Sequence, residues 1–300
     1  MSQVRPSLIK YFPAWCFYGL CWLLAQLPLR LNWLLGAALG TLVRWFGIRR
    51  RVIDKNIAKC FPSLDSDQQQ ALIKANYRET GIMATQTLKT FLGMSERLYE
   101  SLPIEGTEHL EACLQNKQGV LLVSAHFTAL DVGGKVICKR YPVAGVYRPH
   151  KNPVMEYVVN RARLRYAKKM FARDELRGIV RHLKSAGIVW YAPDQDYRRG
   201  SSIFSPFFDI PASTITATHQ LARMTGCAVL FFSVERIKKK PYYALKLSPP
   251  VAPFPTEVQA DTDRINTGVQ AMVEAAPSQY LWLHKRFKTQ PEGTEDFYAD

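Results

Sequence analysis

The stretch GVLLVS at residues 119–124 is a short, continuous apolar run that begins at a glycine and ends at a serine. Two more runs of the same kind follow, GIVWYA at 187–192 and AVLFFSV at 228–234. Runs of this length are typical of strands buried on both faces, as in parallel sheets. Helical patterns over 173–185 and 214–225 precede the last two. Buried strands alternating with helices predict an α/β fold with a mainly parallel sheet flanked by helices.

A hairpin over residues 235–247, with KKKP at 238–241 at its turn, adds an antiparallel strand and makes the predicted sheet mixed. The 300 residues are 47% hydrophobic and 22% charged, which is the composition of a globular protein with a large core. No repeat, low-complexity tract or linker interrupts residues 51–300. We therefore predict one domain there, behind a separate N-terminal segment of residues 1–50.

The N-terminal segment contains an uncharged run over residues 11–29, rich in Trp, Phe, Tyr and Leu. Its 19 residues are just enough to cross a bilayer as one helix. It ends in LPLR at 27–30 instead of a small-residue cleavage site, so we expect it to stay attached. More basic residues follow the run than precede it, which places the rest of the chain in the cytoplasm. The prediction is a hydrophobic membrane-anchor helix with a basic flank; a helix in the membrane plane and a buried two-helix hairpin are the alternatives.

The charge balance favours anionic partners. Lys and Arg number 40 against 25 Asp and Glu, for a formal net charge of +15. Nucleic acid, an anionic membrane, an acidic protein and a phosphorylated substrate are all compatible with it. The six cysteines form no CxxC pair and the histidines add no ligand cluster, so we predict reduced thiols and no metal site.

The motif HFTALD at 126–131 follows the first predicted strand directly. Ligands of open α/β sheets bind at the carboxyl ends of the strands, so His126 stands where an active site is expected. An acid near one ring nitrogen fixes the tautomer and raises the basicity of the other. His126 and Asp131 are therefore the candidate catalytic pair, although the spacing alone also fits a structural histidine at a strand end.

The same motif resembles the H-x4-D/E (HX4D) motif of the acyltransferases that esterify glycerolipids and lipid A. Further segments resemble one branch, the lauroyl/myristoyl late acyltransferases of lipid A biosynthesis. These segments are GVYRP at 145–149, NP at 152–153, WYAPDQDY at 190–197, SSIFSPFF at 201–208, LAR at 221–223 and YLWLHKRFK at 280–288. They occur in family order. The glycerolipid branch has F-x-E-G-T where this chain has PDQD at 193–196, which favours an acceptor other than lysophosphatidic acid.

The resemblance implies transfer of a fatty acyl chain, with lauroyl favoured, from acyl carrier protein to a hydroxyacyl chain of a Kdo-bearing lipid A precursor of the Kdo2-lipid IVA type. No cofactor is implied beyond the acyl carrier protein thioester as co-substrate. His126 would act as general base for direct attack of the acceptor hydroxyl, and Asp131 would orient it. A nucleophilic Ser124 or Cys138 is the less favoured mechanism, since no GxSxG motif is present. The implied location is the cytoplasmic face of the inner membrane.

Substrate-binding candidates include Arg148 and Arg163, which lie in a stretch of eleven basic and three acidic residues over 148–184. By its place in the matched block, Arg163 resembles an active-site arginine of the family. Arginine also suits bidentate contact with phosphate. The basic stretch would meet the phosphates and sugar carboxylates of the acceptor and the acidic acyl carrier protein.

Two acids follow the second predicted strand, Asp194 and Asp196. They would either bind acceptor hydroxyls or hold Arg163 and Arg198 in place. His284 is assigned to packing or surface charge.

Two other functions remain open from the sequence. The first is an acyltransferase acting on a glycerolipid or another glycolipid. The second is a nonenzymatic binder of anionic lipid or nucleic acid, which the net charge of +15 would favour. No helix-turn-helix, RNP or zinc-finger signature is present, so we expect no specific nucleic-acid partner.

Overall fold

The computed structural model describes residues 5–94, 96–198 and 200–299. Its strands are β1 (Val120–Val123), β2 (Val143–Tyr147), β3 (Lys169–Ala172), β4 (Ile188–Tyr191), β5 (Ser202–Phe207), β6 (Ile210–Ile215), β7 (Ala228–Arg236) and β8 (Tyr243–Leu247). Its helices are α1 (Phe12–Ala25), α2 (Leu29–Trp45), α3 (Arg50–Cys60), α4 (Ser66–Leu92), α5 (Arg97–Glu100), α6 (Thr107–Gln115), α7 (Leu130–Arg140), α8 (Pro153–Arg163), α9 (Leu176–Lys184), α10 (Ala217–Thr225) and α11 (Val258–Ala275).

Six strands form one sheet in the order β3-β2-β4-β1-β7-β8, and β5 and β6 form a separate antiparallel hairpin. β1 pairs in parallel with β4 on one side and β7 on the other. β2 is parallel to β3 and β4, whereas β8 is antiparallel to β7. The three apolar runs are therefore the three central strands, and the predicted mainly parallel, mixed sheet flanked by helices is confirmed.

Helices cover both faces of this sheet. Along β1, Leu121 and Val123 pack into a core with residues of α3, α4, α9, α10 and α11. Val120 and Leu122 point the other way, into a core with residues of α6 and α7. Because side chains alternate across a strand and both faces are covered, all four residues of β1 are fully buried.

The uncharged run over residues 11–29 forms one helix, α1, which ends before the run does; a second helix, α2, begins at the last residue of the run. α1 ends at Ala25 and α2 begins at Leu29, because Pro28 lacks an N–H and disfavours a helical conformation at the residue before it. The 14 residues of α1 span about 21 Å, short of the roughly 30 Å of a bilayer core. In the described part of the chain no single helix is long and apolar enough to cross a membrane; α2 and α3 pass that test only as a pair bent by 96°.

α2 crosses α4 at very short range. Gly36 and Gly40 of α2 face Gly81 and Tyr77 of α4, and the backbones touch where these glycines lack side chains. A Cβ atom at Gly40 would overlap the carbonyl group of Tyr77, and one at Gly81 would overlap the backbone of Gly36. The spacing of Gly36 and Gly40, one helical turn apart, is what allows the two helices to pack backbone to backbone.

We predict that Gly40→Ala destabilises the protein by about 1–3 kcal/mol, because the added methyl group pushes α2 away from α4. Thermal unfolding of the purified protein in detergent micelles measures the change. Gly19→Ala is the matched control, since no atom lies within 4 Å of a Cβ placed at Gly19 in α1. Equal melting temperatures for the two variants would show that the close crossing does not contribute to stability.

Candidate active site

Two loops at the carboxyl edge of the sheet form the candidate site. β1 ends at Val123 and is followed by His126, and β4 ends at Tyr191 and is followed by Asp194. The two strands are parallel neighbours, with Val123 opposite Tyr191. The loops therefore leave the sheet side by side, which brings His126 and Asp194 into contact.

The carboxylate of Asp194 accepts two hydrogen bonds from His126. The backbone N–H of His126 donates to Oδ2 at 2.9 Å, and its ring Nδ1 lies 2.6 Å from Oδ1. The Asp194 side chain is 2% exposed, whereas that of His126 is 29% exposed. The carboxylate is thus buried behind an imidazole that solvent and substrate can reach.

Burial opposes the charge of both groups, but each charge stabilises the other. For Asp194, burial is outweighed by the charge of His126 and the hydrogen bonds from it, which lower the pKa of the carboxyl to about 2. For His126, burial acts to lower the pKa of the ring, but the charge and hydrogen bond of Asp194, helped by the charge of Asp131, raise it above its ordinary value. With Nδ1 donating to the carboxylate, Nε2 of the neutral ring is free to accept a proton.

Asp131 does not make the hydrogen bond that the H-x4-D spacing predicted. Its Oδ2 accepts a hydrogen bond from Oγ1 of Thr87 at 2.7 Å, and its Oδ1 lies 3.5 Å from Nη2 of Arg163. Asp131 is the second residue of α7 and contacts α4 through Thr87. Nδ1 of His126 is already engaged by Asp194, so the orienting contact assigned to Asp131 belongs to Asp194.

The two predicted arginines occupy different surroundings. Arg163 is the last residue of α8, and its guanidinium lies 5.4 Å from the ring centre of Phe91 beside its ion pair with Asp131. Arg148 follows β2 at the same edge of the sheet and is exposed. Within the described residues, no hydrogen bond or ion pair joins Arg148 to His126 or Asp131. The structure brings Arg163, but not Arg148, to the candidate site.

Asp196 and Asp194 have different partners within the chain. Asp196 accepts hydrogen bonds from the backbone N–H and Oγ1 of Thr289 at 2.9 and 3.1 Å, and lies 3.5 Å from Nε of Arg198. Asp196 therefore binds the C-terminal segment and Arg198. Holding Arg198 is the second of the two roles predicted for it. Asp194 holds neither arginine and pairs with His126 instead.

His284, which the sequence assigns to packing or surface charge, packs against His126. Its ring lies edge-on to that of His126 at a centroid distance of 5.8 Å, and its Nε2 lies 3.0 Å from Nε2 of Gln195. Asn56 donates to the carbonyl of His284 at 2.9 Å and fixes its backbone. Burial and the charge of His126 lower the pKa of His284, which favours the neutral form of its ring. In the sequence, only its place in the matched segment 280–288 indicates a position near the site. Residues 126 and 284 are too far apart to form a recognisable spacing pattern.

The two alternative nucleophiles are poorly placed. Ser124 is fully buried, and its Oγ has no hydrogen-bond partner in the part of the chain that the structure describes. Burial raises the pKa of the Cys138 thiol to about 12, far from the thiolate that a nucleophile requires. Within residues 5–94, 96–198 and 200–299, no three His, Cys, Asp or Glu side chains cluster as a metal site would require.

Comparison with known proteins identifies a family. A family model described as bacterial lipid A biosynthesis acyltransferase matches residues 3–289. The chain belongs to this family. As a lipid A biosynthesis acyltransferase it is an enzyme, and the family resemblance of the sequence is confirmed.

Two relatives of this acyltransferase are named for different acyl chains, and the chain is nearly equally similar to both. It is 36% identical to the lipid A biosynthesis palmitoleoyltransferase of Escherichia coli K12, over 96% of this chain and 95% of the relative. It is 34% identical to the lauroyltransferase of the same organism, again over 96% and 95%. The PlsC acyltransferase structure from Thermotoga maritima aligns with 84% of this chain and 99% of its own at a TM-score of 0.38 and 16% identity, too low to add to the assignment.

We predict that Asp194→Asn lowers turnover at neutral pH on the order of 100-fold or more, because the amide has one acceptor oxygen for the two N–H groups of His126 and no longer fixes the tautomer of its ring. Asp194 raises the pKa of His126, so removing its charge lowers that pKa. The acidic limb of the pH–rate profile, where the base becomes protonated, should therefore move to lower pH. Both effects are measured by steady-state rates between about pH 5 and 9, a range that includes the titration of histidine.

Asp196→Asn is the matched control, because it makes the same change two residues away at a carboxylate that contacts Thr289 instead of His126. The acidic limb of its pH–rate profile should not move. A profile that shifts equally in both variants would mean that the Asp194 carboxylate has no specific link to the base.

Proposed function

We propose that the enzyme transfers a fatty acyl chain from acyl carrier protein to the hydroxyl group of a hydroxyacyl chain on a Kdo-bearing lipid A precursor. The observation that carries the proposal is the His126–Asp194 pair at the carboxyl edge of the sheet, in a chain of the lipid A acyltransferase family. A lauroyl donor is our first choice. The palmitoleoyl and lauroyl relatives are nearly equally similar, so the test offers both donors.

In the proposed mechanism, Nε2 of His126 takes the proton of the acceptor hydroxyl as the oxygen attacks the thioester carbonyl. Asp194 holds Nδ1 and stabilises the imidazolium that forms. The new C–O bond forms, the C–S bond of the thioester breaks, and the proton on His126 passes to the departing thiolate of the carrier. Direct attack accounts for the transfer without a covalent enzyme intermediate, in keeping with the buried Ser124 and the high pKa of Cys138.

Arg163 is the residue that we assign to the anionic part of the substrates. The guanidinium has five N–H donors, and its ion pair with Asp131 uses one nitrogen at 3.5 Å. Its side chain is 26% exposed, so donors remain available to a phosphate or to the negative charge that develops on the thioester oxygen. Asp131 then has two functions in this proposal, to position Arg163 and to add negative charge near His126.

Docking of acyl carrier protein is assigned to the basic stretch at 148–184, which includes α8 and α9. On α9, Ile179 and Leu183 are buried in the core, so the basic residues Arg177, Arg181 and Lys184 lie on the opposite, solvent-facing side. A positive surface accelerates encounter with an acidic protein and aligns the two partners. Arg148, exposed after β2, adds a positive charge at the carboxyl edge of the sheet, which carries the candidate site.

The acceptor is an amphiphile, and the helices α1 and α2 supply an apolar surface that fits a membrane. Large apolar side chains on both helices are exposed, including Phe17 at 60% and Leu34 at 65%, and Trp45 at the end of α2 is 80% exposed. Such a surface on a helix too short to span fits insertion in the plane of the membrane. The basic residues 49–51 that follow would lie against anionic headgroups. We propose that the enzyme is monotopic, on the cytoplasmic face of the inner membrane.

The function is tested by mass spectrometry of the products. The enzyme receives lauroyl and palmitoleoyl thioesters of acyl carrier protein together with a Kdo-bearing lipid A precursor and lysophosphatidic acid. We expect a mass gain on the Kdo-lipid of one acyl chain, whose size names the preferred donor. His126→Ala should reduce the rate on the order of 100-fold or more, as loss of a general base does.

Other outcomes would redirect the proposal. Acylation of lysophosphatidic acid alone would assign the enzyme to a glycerolipid acceptor, and a near-normal rate for a folded His126→Ala variant would remove the histidine from the mechanism. Transfer that requires Ser124 and leaves an acylated enzyme in mass spectra would replace direct attack with a two-step reaction.

We predict that replacing four exposed apolar side chains of α1 with serine weakens vesicle binding on the order of 100-fold or more, because their burial in lipid is lost. The four are Phe12, Phe17, Leu20 and Leu23. Four serines at exposed apolar positions of other elements are the matched control: Leu176, Phe204, Met224 and Val258. Sedimentation with vesicles measures binding, and equal behaviour of the two variants would place the membrane contact elsewhere.

A further inference from the structure

The turn between β7 and β8 carries three consecutive lysines, Lys238, Lys239 and Lys240, which we call the lysine turn. All three are exposed. Among the ion pairs and hydrogen bonds of the described residues, none involves a side-chain ammonium group of the lysine turn. These charges are therefore free to meet an external anion, and the mechanism proposed above uses none of them.

The lysine turn lies beyond the carboxyl edge of the sheet, the edge that carries the candidate site. Phe231 of β7 is opposite Val123, the last residue of β1, and β7 then continues to Arg236. The two strands are parallel, so β7 extends past the level at which β1 ends and the loop to His126 begins. The lysine turn thus projects from the same edge of the sheet that carries the active site.

Contacts with Trp33 attach the base of this hairpin to α2. The ring of Trp33 lies 5.5 Å from that of Tyr242 and 6.0 Å from that of Tyr243, both edge-on. The guanidinium of Arg236 lies 4.9 Å from the centre of the same ring. Nη2 of Arg30 also donates to the hydroxyl of Tyr242 at 3.4 Å.

The turn itself is held in a defined conformation. Tyr242 has a φ of 77°, in the left-handed region that a non-glycine residue enters only under local constraint. Two backbone hydrogen bonds provide that constraint, from Ile237 to the carbonyl of Tyr242 and from Tyr242 to the carbonyl of Lys239, both 2.8 Å. The three lysines are therefore presented at a fixed place beside α2, whose Leu31, Leu34 and Leu35 are exposed.

We propose that the lysine turn binds the anionic headgroups of the bilayer in whose surface α1 and α2 lie. This inference rests on the membrane placement proposed above. Lysine ammonium groups next to an inserted apolar helix lie at the depth of the lipid phosphates, where each contributes about fivefold to affinity for an anionic surface. The apolar helices provide one contact and the lysine turn a second, so together they fix how the catalytic edge faces the membrane.

The test compares vesicles of phosphatidylcholine alone with vesicles that also contain phosphatidylglycerol at about one part in three. In the variant K238Q/K239Q/K240Q, we expect affinity for the anionic vesicles to fall about 100-fold at low ionic strength, about fivefold per lysine. Affinity for the neutral vesicles should not change, because the apolar surface is intact. The melting temperature should also match that of the wild type, because all three side chains are exposed.

The matched control is K117Q/K168Q/K184Q, which removes three exposed lysines that precede β1, β3 and β4 at the opposite edge of the sheet. This variant should bind both kinds of vesicle as the wild type does. Equal losses of affinity for anionic vesicles in the two triple variants would mean that net charge alone explains the effect. That result would overturn the inference.

Further outcomes separate this inference from the proposal on which it rests. A wild-type enzyme that binds neither kind of vesicle would overturn the membrane placement itself. If K238Q/K239Q/K240Q and the wild type bind the anionic vesicles equally well, only the role proposed for the lysine turn would be overturned. If that variant instead raised KM for lauroyl acyl carrier protein in detergent micelles and kept its vesicle binding, the turn would be a docking site for the carrier.

Discussion

The double hydrogen bond from His126 to the carboxylate of Asp194 is the interaction around which the catalytic edge is organised. A buried carboxylate is costly unless charge and hydrogen bonds compensate it, and here the backbone N–H and the ring of one histidine supply both. The pair requires β1 and β4 to be parallel neighbours that end at the same level. The order of the sheet is thus a condition of the chemistry.

The C-terminal segment closes the site around this pair. The N–H of Leu281 donates to the carbonyl of His126 at 3.0 Å, and Phe127 pairs with Tyr280 in an isolated antiparallel bridge. Asn56 of α3 donates to the carbonyls of Trp282 and His284, at 2.7 and 2.9 Å. These contacts hold a second imidazole beside that of His126, so residues from four distant parts of the chain share one small volume.

Helix α4 connects the apolar N-terminal helices to the site. Near its middle, Gly81 lies in backbone contact with α2. Nearer its C-terminus, Thr87 donates to Asp131 and Phe91 lies under Arg163. Helix α4 therefore contacts both α2 and the residues assigned to the anionic substrate. The same helix thus links the surface proposed to meet lipid with the chemistry proposed to modify lipid.

The sequence by itself determined the central strands, the mainly parallel sheet, His126 at a strand end and the family, because periodicity and short motifs are local properties. It did not determine which acid faces the histidine. Asp131 was favoured by its spacing, yet Asp194, 68 residues away, makes the contact because β4 lies next to β1. Likewise, only the tertiary structure packed α1 and α2 on α4, brought His284 to the site and placed three lysines beside α2. Each of these depends on which elements are neighbours in space, and neighbours in space are chosen by packing of the whole chain.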